Sequence, residues 1–545
     1  MRQLAPFLVL LTTMATAPAA AAPKNPAVPF LRGLGDHHHP ITTSVPTAQR
    51  YFDQGLILAF GFNHAEALRS FRAAQQLDPD CAMCYWGEAL VLGPNINAAM
   101  DPADNPQAYA ALQKALMNAD GASERERAYI QALTARYAPQ APEDRAPLDR
   151  AYAEAMRQVA SRYPEDLDAQ VLYAEALMDT TPWHYWQPDG KPTPATKKVL
   201  AVLNAVLKQN PAHPMANHLY IHAVEDGHPE WGLDAAKRLE TLVPGIGHLV
   251  HMPSHIYIRT GDYHSATLTN QHAIDADRKY LAQVNTQGGY RLVYVPHNYH
   301  FLWASATLEG RSHLAIQAAR DMSAAVDTGK MRQPGLTSLQ HYWITPLYAL
   351  VRFGRWDRIM AWPEPADDLV YPRGVWHYAR GMALTRKDKI DGARRELAAL
   401  KAVIDDPRLA QITVWGINSG RHILRIARHA LAGELAAATG DYPSAIGSLK
   451  QAVKLEDALN YDEPPTWHYP TRQSLGAVLL KAGRAAEAAE IYRQDLDVFP
   501  KNGWSLYGLL QAMRRQGKEK KARDVAARFR QAWQYADVTL TASRF

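Results

Sequence analysis

Cysteine is nearly absent from this chain. Its 545 residues include two, Cys81 and Cys84, in the run Cys-Ala-Met-Cys. That excludes a disulfide framework and a four-thiolate metal site. Attachment of a c-type haem needs His directly after the second Cys, and Tyr85 stands there. No βαβ pattern surrounds the pair, which argues against a thioredoxin-like role. A local disulfide or two buried thiols are the readings left. Strand signals are scarce, and so is charge of one sign. Lys and Arg number 59 against 54 Asp and Glu, a net +5. The basic residues are interleaved with acids rather than gathered in a stripe, so no nucleic-acid partner is expected. Beyond the N-terminus no apolar run reaches the roughly 20 residues of a membrane span. Phosphate loops, a Ser-His-Asp signature and dinucleotide glycine patterns are missing too.

What is present describes a large, folded, helix-rich chain, 47% hydrophobic and 21% charged. The N-terminus stands apart. Arg2 gives a short positive region, residues 4–11 are apolar but too short to span a bilayer, and small residues fill 15–22. This predicts a secretory signal over residues 1–22, cleaved near Ala22 or Pro23, and a periplasmic or secreted product. A flexible segment is expected over 23–45.

From there the sequence reads as helix pairs joined by one kind of turn. Gly261-Asp262-Tyr263-His264-Ser265-Ala266, Gly440-Asp441-Tyr442-Pro443-Ser444-Ala445 and Gly483-Arg484-Ala485-Ala486-Glu487-Ala488 share a logic with Gly61 to Ala67 and Gly517 to Ala522. Glycine ends one helix at positive φ, and alanine begins the close contact with the next. Prolines follow about one helix later, at Pro79, Pro164, Pro211, Pro244 and Pro500. The period is roughly 34 residues. On these motifs the chain resembles the tetratricopeptide repeat (TPR) family. Phe62-Asn63-His64-Ala65-Glu66-Ala67, His251-Met252-Pro253-Ser254-His255 and the closing Asp537 to Phe545 look like a group of large exported bacterial repeat proteins. The resemblance implies an all-α, TPR-like solenoid of helical pairs, coiled as a right-handed superhelix, and supplies no reaction. The expected divisions are a solenoid over 46–430 carrying the candidate site and C-terminal repeats over 431–545. Long loops rich in aromatics or proline interrupt the pattern at 93–106, 180–194 and 460–470, and loops of that length are often functional.

Histidine is the feature that points to chemistry. His218 and His222 are i, i+4, as are His251 and His255, and His297 and His300 are i, i+3. Residues three or four apart share a helix face, and imidazole is the commonest protein metal ligand. First helices of stacked pairs lie roughly 10 Å apart. His218, His222, His251, His255, His297 and His300 are therefore expected to converge in the concave groove on a divalent metal, with Zn, Cu or Fe as candidates. Glu225 shares the face of His218 and His222 and is expected as either a ligand or the general base beside the metal. His248 lies one turn before His251, but Pro253 threatens to leave it in a turn, so it is set aside. Single groove histidines with hydrogen-bonded partners are the plainer alternative. Arg259 and Arg311 are candidates for binding a carboxylate or for ending a helix. Asp36-His37-His38-His39 resembles a metal-binding tract in a tail. Two functions fit: an exported scaffold binding a peptide or protein in its groove beside a metal site, or a metal-dependent enzyme, hydrolase or oxidase, in the same place.

Overall fold

A computed structural model describes residues 28–284 and 288–545. The expected signal segment lies outside the described residues. The fold is an all-α solenoid of antiparallel helix pairs. Among the described residues the only sheet is a hairpin of two-residue strands, Thr413–Val414 and Asn418–Ser419. Pairs such as Pro46–Phe60 with His64–Leu77, Val295–Glu309 with Ser312–Ala325, and Gly503–Arg515 with Glu519–Ala532 repeat along the chain. The helix Gly420–Ala438 runs through residue 431 and pairs with Tyr442–Glu456.

The turns follow from their residues. Gly261 takes φ +76°, and the next residue, Asp262, caps the following helix by accepting from the Ser265 amide. A Cβ on Gly261 would lie 2.3 Å from the Pro500 carbonyl oxygen, so glycine is required for conformation and for contact. At the first turn the expectation fails by one residue. Gly61 has φ −94° and Phe62 takes the left-handed conformation at +56°. Asn63 then caps the next helix through Glu66 N–H. The two cysteines form a disulfide, Cys81–Cys84.

The solenoid curls until distant repeats touch. The Phe60 carbonyl accepts from His218, Tyr263 Oη donates to the Pro500 carbonyl, and Trp504 Nε1 donates to the Thr307 carbonyl. The C-terminal tail closes the coil: Asp537 accepts from the amides of Ser312 and His313, and Arg544 pairs with Glu434. One continuous apolar core, from Phe52 to Leu540, follows this path. Instead of lining an open groove, the histidine-bearing helix faces are packed inside the coil.

Candidate metal centre

Four elements carry the cluster. Pro214–Val224 bears His218 and His222, Gly247–His251 bears His248 and His251, Pro253–Thr260 bears His255, and Val295–Glu309 bears His297. Pro253 opens a new helix, where its missing N–H costs nothing. The break falls at Met252, so His248 stays helical and faces the cluster, contrary to its exclusion on sequence grounds. Its Nε2 lies 3.2 Å from His218 Nε2. Candidate ligand atoms of His218, His222 and His248 all lie within 4.8 Å of one another, and so do those of His251, His255 and His297. Apart from the partly exposed His297, these side chains are buried.

The partners of each ring fix its tautomer. His218 Nδ1 donates to the Phe60 carbonyl at 2.7 Å. His251 Nδ1 lies 2.8 Å from Asn270 Oδ1, and Asn270 Nδ2 is committed to the Ala266 carbonyl, so the oxygen faces the ring and accepts. His222 Nδ1 is 2.9 Å from Glu225 Oε1. His255 Nδ1 lies against Glu225 Oε2, with Glu463 Oε2 at 3.4 Å. Each of these four imidazoles thus anchors Nδ1 and turns Nε2 inward, the arrangement that metal-ligating histidines adopt. His251 Nε2 and His255 Nε2 are 2.9 Å apart. His222 Nε2 and His248 Nδ1 are buried without a partner.

Burial and neighbouring imidazoles hold His218, His248, His251 and His297 well below the usual histidine pKa. That favours the neutral ring a metal needs. Burial also opposes charge on His255, but the carboxylates of Glu225 and Glu463 outweigh it and raise the pKa to about 9. Burial alone would raise the Glu225 pKa; His255 and His222 bring it down instead.

Glu225 lies between two of the rings. Its Oε1 meets His222 and its Oε2 meets His255, which places it to orient both rings, and it also forms part of the wall of the cavity beside them. His300 departs from the expected cluster. Its ring stacks on Trp303 and packs against His341 and Tyr342, away from both groups of three. Arg259 donates to the carbonyls of Glu225 and Asp226, just past the end of Pro214–Val224, and lies over Tyr461. Arg311 lies near Glu309. The His-rich tract is docked rather than loose: His37, His39 and His213 all meet buried Asp168. His213 Nδ1 accepts from the Ala216 amide, so its proton sits on Nε2 and is given to Asp168. A ring in that state offers no lone pair to a metal, and this group is a hydrogen-bonded clamp.

Above the cluster lies a cavity of about 430 Å³. All three interrupting loops reach it, through Ile96 and Asn97, Trp183, and Tyr461 to Glu463. His222, His248, His255 and His297 form part of its wall. Trp183 and Trp415, both in the left-handed backbone region at φ +62° and +54°, also line it. Sequence reasoning flagged the loops but not Glu463, because no periodicity links residue 463 to 255.

No family model matches the chain, and neither does any curated protein. Solved structures similar to it include Cut9 in the APC/C hetero-tetramer Cut9-Hcn1, at 12% identity, 89% of this chain, 76% of that one and a TM-score of 0.32. Yeast Tom70 aligns at 12% identity over 90% of this chain and 92% of its own, with a TM-score of 0.27. A human IFIT1 dimer with m7Gppp-AAAA aligns at 10% identity over 90% and 91%, with a TM-score of 0.29.

Proposed function

We propose that this chain is an exported helical-repeat scaffold that binds divalent metal on its histidine cluster and admits a small molecule to the cavity above it. The contact between His251 Nε2 and His255 Nε2 carries the reading. With both Nδ1 atoms turned to acceptors, the two Nε2 atoms 2.9 Å apart need something between them: either the proton that the raised pKa of His255 supplies, or a cation that takes its place. The donor set suits Zn, Cu or Fe, for which imidazole is a common ligand. The cavity has the size of small-molecule sites, about 300–1,000 Å³. An open peptide groove has less support, because the histidines lie beneath loops. Metal analysis of untagged protein purified from metal-replete cells tests the reading. Stoichiometric metal that falls in His251→Ala/His255→Ala supports it, and metal-free wild type refutes it. Export rests on the N-terminal sequence, and N-terminal sequencing of the mature protein tests it.

Turnover is the second reading, and Asp462 favours it. It lines the same cavity, and burial raises its pKa to about 7. A group that titrates near neutrality is suited to proton transfer. A bound ion would supply a polarised water or, if Cu or Fe, redox chemistry. The protein's part is to hold the imidazoles, exclude water and place Asp462 beside the bound molecule. Asp462→Asn separates the readings, since it should abolish turnover of any substrate while leaving metal content unchanged.

A further inference from the structure

We infer that the histidine cluster is two metal sites, one on His218, His222 and His248 and one on His251, His255 and His297, with Glu225 positioning both. The inference rests on the metal reading above and adds its stoichiometry and architecture. Six imidazoles exceed the three or four ligands of one zinc-type ion. The two groups are also built by the same recipe. Each has an i, i+4 pair, and the second pair falls one repeat after the first. A third histidine joins each pair from a following helix.

Each group has its own apolar backing. The Phe62 ring packs on His218, His222 and His248 at 4.5, 6.1 and 5.5 Å between centroids. The Phe301 ring packs on His251, His255 and His297 at 4.6, 4.4 and 4.9 Å. Each group also contains one close Nε2–Nε2 contact, 3.2 Å between His218 and His248 and 2.9 Å between His251 and His255. The unpartnered His222 Nε2 and His248 Nδ1 both belong to the first group.

Glu225 joins the two. One oxygen orients His222 of the first group and the other orients His255 of the second. Two neighbouring cations would repel, and the carboxylates of Glu225 and Glu463 supply negative charge where it offsets that repulsion. Three protein ligands per ion leave open positions, as at catalytic rather than structural sites. His222, His248, His255 and His297 reach the cavity wall, so a molecule bound there would meet both ions.

The experiment is a titration of chelator-stripped, full-length protein with Co(II), read by visible absorption and metal analysis. Wild type should take up two equivalents, His248→Gln and His297→Gln one each, and the double variant none, with helix content checked by circular dichroism. Saturation of wild type at one equivalent, lost in either single variant, would overturn the two-site inference and leave the metal reading intact. No uptake at all would overturn the metal reading itself. Should a variant fail to fold, Cu(II) loading of wild type still decides. A spin-coupled paramagnetic resonance spectrum at full loading supports two neighbouring ions, and an isolated-ion spectrum overturns them.

Discussion

His251 and His255 stand one helical turn apart with their Nε2 atoms 2.9 Å from each other, across the break at Met252. Asn270 holds the first ring and the carboxylates of Glu225 and Glu463 hold the second. Replacing both histidines with alanine should therefore remove metal from the second group. Helix content should change little, because neither ring makes a backbone hydrogen bond that the helices need. Metal analysis and far-ultraviolet circular dichroism on the same sample check this. Retention of full metal content would contradict it.

Glu225→Gln tests positioning against ligation. An amide keeps the shape and loses the charge, so the Nδ1 atoms of His222 and His255 face a weaker acceptor. Changes behind a metal ligand usually cost about 10–100-fold in affinity. We expect a loss of that size with uptake still measurable, visible in competition with a chromogenic chelator. Complete loss of binding would make Glu225 a direct ligand.

The legible and illegible parts of this site have different physical origins. The pairs 218/222 and 251/255 were visible because i, i+4 spacing on a helix is a local property. His300 was misjudged because three residues turn the helix by about 300° and not 400°, which carries it toward Trp303 and His341. His248 was undervalued because Pro253 reads as a kink, whereas here it starts a helix. Glu463 and the docking of His37 and His39 on Asp168 depend on the solenoid curling back on itself. No short-range pattern encodes that closure. The helix pairs and their glycine turns, the shifted one at Gly61 apart, are readable in the sequence, since each repeat writes its own start and stop.

The closure of the coil can be tested at Glu434. It is buried, accepts from Arg386 at 2.8 Å and forms an ion pair with Arg544 at 2.5 Å, tying the last residues to Gly420–Ala438. Burial favours the neutral acid, yet the two guanidinium groups hold its pKa below the usual carboxylate value. Its contribution is thus complete above the unfolded-state pKa and is lost as pH falls through the lower, folded value. Glu434→Gln leaves Arg544 buried without its counter-charge, which typically costs about 3–5 kcal/mol. Thermal unfolding at neutral pH should show a clear drop. The gap between wild type and variant should narrow on acidification.

The N-terminal strap gives a second pH window, with opposite sign at its upper edge. Asp168 meets His37, His39 and His213, and despite burial these hydrogen bonds hold its carboxyl well below its ordinary pKa. Burial lowers the pKa of His37, but the bond to Asp168 outweighs it and the net shift is upward. The His37 contribution is therefore full below the unfolded value of 6.5 and is lost as pH rises through the higher, folded one. The Asp168 contribution is full above 3.8 and fails only in acid, as pH falls through its depressed value. Residues 28–45 should be best protected near pH 6 and should loosen on going to pH 9. Hydrogen exchange of that segment at the two pH values measures this directly. Asp168→Asn should expose the strap at both and flatten the dependence. Equal protection at pH 6 and 9 in wild type would mean that the strap is held by its apolar contacts and that the imidazole–carboxylate clamp contributes little.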